Sequence, residues 1–340
     1  MPLDVAPHDR RIAVVIPCFK VRNFVLSVIE RIPPAVASIH VVDDGCPEKT
    51  GVYVQTYCRD PRVRVIFHQQ NRGVGAATMT GYRDALSTGA RVVVKLDGDG
   101  QMDPADLDRF VEPILGGRAD YTKGNRFFDI ELLRAMPRMR LVGNSILSLV
   151  NKLCSGYWNI ADPTNGYTAI HADVLRLLPL NKIDDRFFFE SDVLFRLNVI
   201  RAVVADVPLE ARYGDEFSSL SITRASLEFP GKYLIRFLKR VFYSYFLRDF
   251  SAGTVALITG SLLALGGSLF GAWRWYLSGL TGRPATSGEV MLSALPVLVG
   301  CQLLISAVNF DILAVPTVPL HPRLAARGQG AGMEAGLRKK

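Results

Sequence analysis

The chain has 340 residues, of which 49% are hydrophobic and 21% are charged, so it can bury one or two ordinary cores. A small disulfide-stapled module and a disordered tail are both excluded by this composition. Lysine and arginine number 40 against 32 acidic residues, which leaves a net charge of +8. The mean hydropathy of +0.19 is high for a wholly soluble chain, and together with the basic charge it indicates a membrane protein.

Short β-branched runs alternate with helix-like segments at the start of the chain. These runs occupy residues 11–17, 38–44, 62–68 and 90–97. Continuous apolar strands separated by amphipathic segments are typical of a parallel sheet with helices on both faces. Ligands bind such sheets beyond the carboxyl ends of the strands, where Asp43 and Asp44 end the second run and Asp97 and Asp99 end the fourth.

The fourth run leads into the motif KLDGDGQMDP, which carries three oxygen ligands. Asp97, Asp99 and Gln101 lie two residues apart, and such hard ligands suit Mg²⁺ or Mn²⁺ with open positions for a diphosphate. A calcium loop of the EF-hand type needs Gly and Glu where this chain has Met102 and Asp108. A solvated turn without metal is the remaining alternative to a metal-held diphosphate.

The pattern becomes mixed after residue 119. The expected elements are a strand at DYTKGNRF, helices around residues 138–153, a turn at DPTNGY and a helix that begins near FFFESD. Residues 231–248 form a further helix, in which Lys232, Arg236 and Arg240 lie four apart on one face. An apolar remainder beside such a basic face predicts a helix on the membrane surface, and an ordinary solvated basic face is the alternative.

Two late segments contain no charged residue. They are residues 250–273, 24 positions, and residues 290–310, 21 positions. At about 1.5 Å per helical residue, each can cross a hydrocarbon layer of about 30 Å, so we predict a transmembrane hairpin, with two buried core helices as the alternative. Basic residues cluster before the first segment and after the second, which predicts that both flanks are cytoplasmic.

The two ends of the sequence suggest where the long N-terminal part resides. The first residues lack the apolar core of a signal peptide, so we expect this part to remain in the cytoplasm.

The segment after Pro322 is expected to be disordered. Nucleic-acid binding is not predicted, because the basic residues lie beside the apolar segments rather than among aromatics.

Seven motifs occur in an order that resembles a known enzyme family. They are VVIPCFK, VVDDGCPEKTG, NRGVGAA, KLDGDGQMDP, KGNRF, DPTNGY and FFFESD. This series resembles the family 2 glycosyltransferases, in particular their polyprenyl-phosphate (dolichyl-phosphate) branch, over roughly residues 10 to 225. The resemblance implies an α/β GT-A fold, a Rossmann-like and mostly parallel sheet flanked by helices, followed here by a C-terminal two-helix transmembrane hairpin.

The resemblance also implies roles for individual residues. On the donor side, the nucleoside would lie against Pro17 and against Asp43 or Asp44. The positions that match the metal and diphosphate ligands are Asp97, Asp99 and Gln101. On the acceptor side, Arg126 of KGNRF matches the basic residue that meets the phosphate, and Arg140 with Asn144 would make further phosphate contacts. Asp99, Gln101 and Arg126 are therefore the predicted catalytic residues.

The predicted reaction is an inverting, metal-dependent transfer of a hexose from a UDP- or GDP-sugar to polyprenyl phosphate at the cytoplasmic membrane face. A phosphate monoester has a second pKa near 6 and is largely a dianion at neutral pH, so it can attack the anomeric carbon without a general base. Arginines bind such a phosphate in bidentate fashion, which suits Arg126 and Arg140.

Two other functions remain open at this point. A glycosyltransferase acting on a sugar hydroxyl would need a carboxylate base, for which Glu190 and Asp192 of FFFESD are the candidates. A membrane protein that binds a nucleotide sugar without catalysis is the third. The expected partners are the nucleotide sugar, the polyprenyl phosphate and the membrane, and the sequence allows a homo-oligomer without requiring one.

The motifs and apolar segments predict five regions. These are an N-terminal tail at 1–10, a cytoplasmic glycosyltransferase domain at 11–225, amphipathic membrane-surface helices at 226–249, two transmembrane helices at 250–316 and a cytoplasmic tail at 317–340.

Overall fold

The structure is a computed structural model that describes residues 11–128, 138–209 and 222–326. It divides into two compact units. The sheet unit contains the chain up to Phe237 together with the chain from Pro316 onward, and the hairpin unit is Leu238–Val315.

A seven-stranded sheet forms the centre of the sheet unit. Its strands are β1 (Ile12–Cys18), β2 (Val36–Asp43), β3 (Val63–Phe67), β4 (Val92–Lys95), β5 (Tyr121–Asn125), β6 (Thr168–His171) and β7 (Val204–Pro208). They lie in the order β3-β2-β1-β4-β6-β5-β7. Strand β6 runs antiparallel to β4 and β5, and the other neighbouring pairs are parallel. Since β4 and β5 both oppose β6, their carboxyl ends meet at one edge of the sheet.

Helices cover the sheet and continue into the hairpin unit. They are α1 (Val25–Glu30), α2 (Thr50–Tyr57), α3 (Val74–Ser87), α4 (Leu107–Leu115), α5 (Arg138–Ser155), α6 (Ala172–Leu177), α7 (Phe189–Val199), α8 (Ile222–Val241), α9 (Ala252–Thr281) and α10 (Ser287–Leu313). Apolar spacing explains how they pack. In α4, for example, Leu107, Phe110, Val111 and Ile114 recur at helical intervals and are all buried.

The core of the sheet unit is built around β1, whose seven residues are all buried. A strand hydrogen-bonded on both sides and covered on both faces must be apolar throughout, as IAVVIPC is. A Cβ atom at Gly81 of α3 would lie 2.2 Å from Cγ1 of Val15. This glycine therefore lets α3 lie directly against the central strand.

The sheet confirms the predicted α/β fold. The four early runs overlap β1 to β4, DYTKGNRF contains β5, and α5 and α7 begin near the predicted positions. Strands β6 and β7 were not predicted. They are short, and the polar residues Thr168 and Asp206 interrupt the apolar pattern by which a strand is recognised.

Helices α9 and α10 pack against each other as a hairpin and contain the two predicted spans. A Cβ atom at Gly300 would lie 2.5 Å from the backbone nitrogen of Ala264, and one at Gly260 would lie 3.0 Å from the Gly300 carbonyl oxygen. Small residues thus allow close helix contact. Both helices are long and apolar enough to cross a membrane, and only 17% and 11% of their most apolar windows are buried, which argues against buried core helices.

Three basic residues of α8 are paired with acidic residues of the protein. The pairs are Lys232–Asp184 and Arg236–Asp192 in the sheet unit and Arg240–Asp311 in the hairpin unit, each with a nitrogen–oxygen distance of 2.6 Å. These side chains therefore do not form the free basic face expected from the sequence. The exposed side chains of the helix include Leu234, Ile235 and Leu238, and the position of α8 on the membrane surface stays a prediction.

The chain that follows the second predicted span returns to the sheet unit. In this return segment (residues 316–326), the backbone N–H groups of Leu320 and His321 donate to the carboxylate of Asp120 at 2.9 and 3.0 Å. The His321 ring lies 2.8 Å from the same carboxylate and stacks on His171. Residues 321–326 are helical, so the disorder expected after Pro322 is wrong as far as residue 326.

Candidate active site

The predicted catalytic residues follow two strands that end at the same edge of the sheet. The D-x-D-x-Q turn comes after β4, and Arg126 comes directly after β5. Strand β6 lies between these two strands and is preceded by the DPTNGY turn. The topology thus brings the motifs KLDGDGQMDP, KGNRF and DPTNGY to the same edge of the sheet.

The two aspartates of the D-x-D-x-Q turn have different surroundings. The Asp97 carboxylate lies 2.7 Å from Nζ of Lys95, whose side chain is only 2% exposed. Asp99 is half-buried and accepts a hydrogen bond at 3.0 Å from the backbone N–H of Gln101, whose own side chain is exposed. Asp97 is therefore neutralised by a cation of the protein, whereas Asp99 and Gln101 lie at the surface of the turn.

Lys95 belongs to a group of charged residues that we call the charged cluster. Its three cations and three carboxylates are Lys95, Lys123, Arg126, Asp97, Asp162 and Glu190. An oxygen of Glu190 lies 3.6 Å from Nζ of Lys95. Arg126 binds Asp162 in bidentate fashion, at 2.7 Å through Nε and 3.2 Å through Nη2. The cluster thus contains equal numbers of basic and acidic side chains, which is how charged residues are tolerated in a buried place.

The DPTNGY turn holds this cluster together. Its first residue, Asp162, is completely buried under Arg126. The carbonyl oxygen of Asn165 accepts a hydrogen bond of 2.6 Å from Nζ of Lys123. A Cβ atom at Gly166 would lie 2.2 Å from Oδ2 of Asp97 and 2.6 Å from Nζ of Lys95, so this position accepts only glycine in the observed arrangement.

Burial and neighbouring charges shift the pKa values of the central groups. Burial alone would lower the pKa of Lys95, but Asp97 and Glu190 outweigh it and raise the pKa. Burial lowers the pKa of Lys123 despite the opposing carboxylates of Glu190 and Asp162. Burial also raises the pKa of Glu190, against the effect of Lys123 and Lys95. Desolvation therefore dominates at Lys123 and Glu190, whereas the ion pairs dominate at Lys95.

The residues predicted to contact the nucleoside bind the protein's own backbone. Asp43 accepts hydrogen bonds from the N–H groups of Cys46 at 2.7 Å and Gly51 at 2.6 Å. Asp44 accepts from the N–H of Gly73 at 2.7 Å and lies 2.6 Å from the His68 ring. Both are almost fully buried, as is Pro17 in β1. The D-D pair thus joins the VVDDGC and NRGVG segments, and its contact with a donor stays a prediction.

The remaining acceptor residues lie on α5. Arg140 is in the first turn of this helix, and its side chain lies outside the described residues. Asn144 follows one turn later and is half-buried. Their contact with an acceptor phosphate stays a prediction.

The two candidate bases on α7 occupy unlike environments. Asp192 is completely buried, and Arg236 and Arg196 hold its oxygens at 2.6 and 3.3 Å. These bonds and its burial argue against Asp192 as a base for a substrate hydroxyl. Glu190 belongs to the charged cluster and keeps 12% of its side chain exposed.

Lys95 and Lys123 are site residues that the sequence reasoning did not identify. Both stand in strands whose residues are buried, at 2% and 0% exposure. A lysine in such a strand needs carboxylate or carbonyl partners, because an unpaired buried ammonium is very costly. A lysine that interrupts an apolar run is therefore the sequence signal that could have identified these two residues.

The D-x-D-x-Q turn has the donor atoms that a divalent cation needs. Asp99 and Gln101 provide carboxylate and amide oxygens, which suit Mg²⁺ or Mn²⁺. In residues 11–128, 138–209 and 222–326, no group of three or more His, Cys, Asp and Glu side chains is arranged to hold a metal ion. The oxygens of Asp99 and Gln101 suit an ion that is bound by one or two carboxylates together with substrate phosphates.

Sequence comparison finds matches across the sheet unit. The profile described as glycosyl transferase family 2 matches residues 13–178. The polyprenol monophosphomannose synthase of Mycolicibacterium smegmatis is 31% identical over 213 residues, which are 61% of this chain and 79% of that protein. The UDP-N-acetylglucosamine–dolichyl-phosphate N-acetylglucosaminyltransferase of Methanococcus voltae is 27% identical over 245 residues, 68% of this chain and 97% of that protein. The undecaprenyl-phosphate mannosyltransferase of Micrococcus luteus is 30% identical over 203 residues, 58% of this chain and 82% of that protein.

Comparison with solved structures finds the same fold. Glucosyl-3-phosphoglycerate synthase from Mycobacterium tuberculosis, determined with Mn²⁺ and UDP-glucose, matches with a TM-score of 0.53 and 21% identity. The match covers 67% of this chain and 79% of that chain. At this identity the likeness concerns the fold alone.

Proposed function

This chain belongs to glycosyltransferase family 2, and on that premise we propose that it transfers a hexose from a UDP- or GDP-sugar to a polyprenyl phosphate of the undecaprenyl or dolichyl type. The observation that carries the proposal is the shared edge of the sheet, where the charged cluster links the D-x-D-x-Q turn to Arg126. A donor on the turn and a phosphate on Arg126 would meet there. Two relatives named as dolichyl-phosphate and undecaprenyl-phosphate transferases support this choice of acceptor.

The acceptor phosphate itself acts as the nucleophile in this proposal. A phosphate oxygen forms the bond to the anomeric carbon while the bond to the nucleotide diphosphate breaks, so the configuration inverts. The phosphate is largely a dianion at neutral pH, and no protein base is needed. The charge of Arg126 holds this dianion near an anionic donor, and Asp162 fixes the direction of the guanidinium.

Other residues complete the donor and acceptor sides. Asp99 and Gln101, with Asp97 beside them, would hold Mg²⁺ or Mn²⁺, which when bound stabilises the negative charge of the departing diphosphate. Pro17 with Asp43 or Asp44 would border the nucleoside. Arg140 and Asn144 would add contacts to the acceptor phosphate from α5. The reaction would take place on the cytoplasmic face, where the basic residues beside the hairpin predict both of its flanks.

One observation favours a second candidate function. Because 12% of the Glu190 side chain is exposed, this residue could serve as the base for transfer to a hydroxyl of a glycan or glycolipid.

The test is a transfer assay with purified protein, Mn²⁺ or Mg²⁺, undecaprenyl phosphate and a panel of UDP-glucose, UDP-galactose, UDP-GlcNAc and GDP-mannose. The expected product is a sugar-linked lipid phosphate. Extension of a glycan would support the second function instead, and donor binding without turnover would indicate a non-catalytic binder.

Two variants assign the roles in the same assay. Asp99→Ala should abolish transfer while the protein remains folded, and unchanged turnover would contradict the metal assignment. Arg126→Ala should raise KM for undecaprenyl phosphate more than KM for the donor. Arg118→Ala, which removes an exposed arginine paired with exposed Glu112, is the matched control.

A further inference from the structure

Glu190 lies between the donor side and the acceptor side of the charged cluster. On one side it is 3.6 Å from Lys95, which in turn binds Asp97 of the D-x-D-x-Q turn at 2.7 Å. On the other side it interacts electrostatically with Lys123 and Asp162, and Asp162 binds Arg126. In the proposed reaction, the transferred sugar must lie between the diphosphate and the acceptor phosphate. Glu190 lies between the residues that we propose to hold these two groups.

Accessibility distinguishes Glu190 from the three buried members of the cluster. The side chains of Lys95, Lys123 and Asp162 are 2%, 0% and 0% exposed, whereas that of Glu190 is 12% exposed. The buried lysines and Asp162 can therefore position other groups but cannot reach a substrate in this arrangement. The Glu190 side chain keeps some exposed surface, and one of its carboxylate oxygens lies 3.6 Å from Nζ of Lys95.

The chemistry of a carboxylate in this place suits a sugar. A carboxylate accepts several hydrogen bonds, and hydroxyl groups of a hexose are the donors available between two phosphates. A base at this position would have no proton to remove from a phosphate dianion. The same carboxylate can instead distinguish hexoses by the direction of their hydroxyl groups.

We propose that Glu190 binds hydroxyl groups of the donor hexose and determines which sugar the enzyme accepts, with Lys95 as the residue that positions it. This inference rests on the proposed function for the location of the sugar. A site that hydrogen-bonds a particular hydroxyl discriminates strongly against a donor that lacks it, because the buried polar group is then left unpaired.

The test compares nucleotide binding with nucleotide-sugar binding in the full-length protein. For Glu190→Gln, we expect UDP or GDP to bind as in the wild type, whereas the preferred UDP-hexose or GDP-mannose binds about 10- to 100-fold more weakly. In the transfer assay, the ratio of kcat/KM between epimeric donors should fall by a similar factor, with KM for undecaprenyl phosphate unchanged. Glu112→Gln, an exposed residue on α4, is the control.

Other outcomes would overturn the inference. Equal loss for every donor with an unchanged ratio would indicate a base or a structural role, and unchanged binding would remove Glu190 from the site. If Glu190→Gln does not fold, Glu190→Asp undergoes the same comparison, since it keeps the charge and shortens the reach. The binding comparison needs no acceptor, so a wild-type protein that fails to use undecaprenyl phosphate would contradict the proposed function without deciding the role of Glu190.

Discussion

At the scale of single residues, the charged cluster depends on matched buried charges. Nζ of Lys95 lies close to two carboxylates, at 2.7 Å from an oxygen of Asp97 and at 3.6 Å from an oxygen of Glu190. Removing one partner of a buried ion pair leaves the other charge uncompensated, which costs far more than the loss of an exposed pair. The stability of the site therefore depends on a lysine that has almost no exposed surface.

The substitution Lys95→Met tests this dependence. We expect the free energy of unfolding to fall by about 2–4 kcal/mol, since the substitution keeps the chain length of the side chain but removes its charge. Chemical unfolding in detergent measures the change. The control Arg118→Met breaks the exposed pair with Glu112 and should change the free energy by less than about 1 kcal/mol. Equal effects of the two substitutions would contradict the argument.

Asp206 on β7 gives a prediction about pH. Its Oδ2 accepts hydrogen bonds from Asn125 and from the Ala161 N–H, but its Oδ1 is buried without a hydrogen-bond partner among the described residues. Burial raises the pKa of Asp206 to about 6, whereas an unfolded aspartate has a pKa of about 3.9. The folded state thus holds a proton that the unfolded state releases, and stability falls as the pH rises from about 4 to about 6.

Asp206→Asn should remove that loss while keeping the two hydrogen bonds to Oδ2. We expect a gain in the free energy of unfolding of about 1–2 kcal/mol at pH 7.5, and a clearly smaller gain near pH 4.5, where the folded wild-type carboxyl is protonated. Unfolding measured at both pH values checks the prediction. Glu48→Gln, at an exposed position, should show no such difference between the two pH values, and a gain of equal size at both would contradict the assigned cause.

At the scale of elements, one carboxylate accepts several hydrogen bonds from the return segment. Asp120 precedes β5, is completely buried, and also accepts a hydrogen bond from the N–H of Val203. Burial alone would raise the pKa of Asp120, but hydrogen bonds from His321, Leu320 and Val203 hold the pKa below its usual value. The negative charge is therefore the form that binds the return segment.

Asp120→Ala should release the return segment from the sheet unit. Without the carboxylate, the N–H groups of Leu320 and His321 lose their acceptor, so we expect trypsin to cleave after Arg323 at least about 10-fold faster, the factor for a loss of about 1.4 kcal/mol of local stability. Cleavage after Arg22, in an exposed turn of the sheet unit, gives the internal reference. If the two sites accelerate equally, the substitution has destabilised the whole sheet unit rather than this contact.

The elements also show which features a sequence can reveal. The apolar runs of β1 and β4 predict their strands because burial on both faces requires continuous apolar residues. The sequence places Asp97 and Asp99 in equivalent positions, and it cannot separate their roles, because the ion pair of Lys95 with Asp97 depends on the packing of Gly166 from a distant turn. In the same way, the partners of Lys232 and Arg236 lie more than 40 residues away in the chain, so local periodicity predicts a free basic face.

At the scale of the whole molecule, charge and apolarity are divided between the two units. Helices α9 and α10 expose large apolar side chains along their length, among them Leu262, Leu269, Leu298 and Ile305. A surface of this kind is stable in lipid and unfavourable in water. The spans could be predicted from the sequence because a span is recognised by its length and its lack of charged residues. Neither property depends on contacts with distant parts of the chain.

The charge distribution predicts the topology of the hairpin, which can be tested with the protein produced in a bacterial inner membrane. Arg236, Lys239, Arg240 and Arg248 precede α9, whereas the connection between α9 and α10 contains Arg283 alone, so the positive-inside rule places that connection outside the cytoplasm. In Ala285→Cys, a membrane-impermeant maleimide should label the new thiol in intact spheroplasts.

The matching variant Ala325→Cys lies in the return segment and should label only after lysis, because this segment binds the sheet unit that carries the proposed site. The wild-type protein gives the background from its own cysteines, of which Cys301 is exposed in α10. Both thiols lie in exposed positions, so a difference in labelling reports the side of the membrane rather than local burial. Labelling of Ala325→Cys before lysis would place the site away from the cytoplasm, where nucleotide sugars would have to be supplied by another route, and would contradict the proposed reaction at this membrane face.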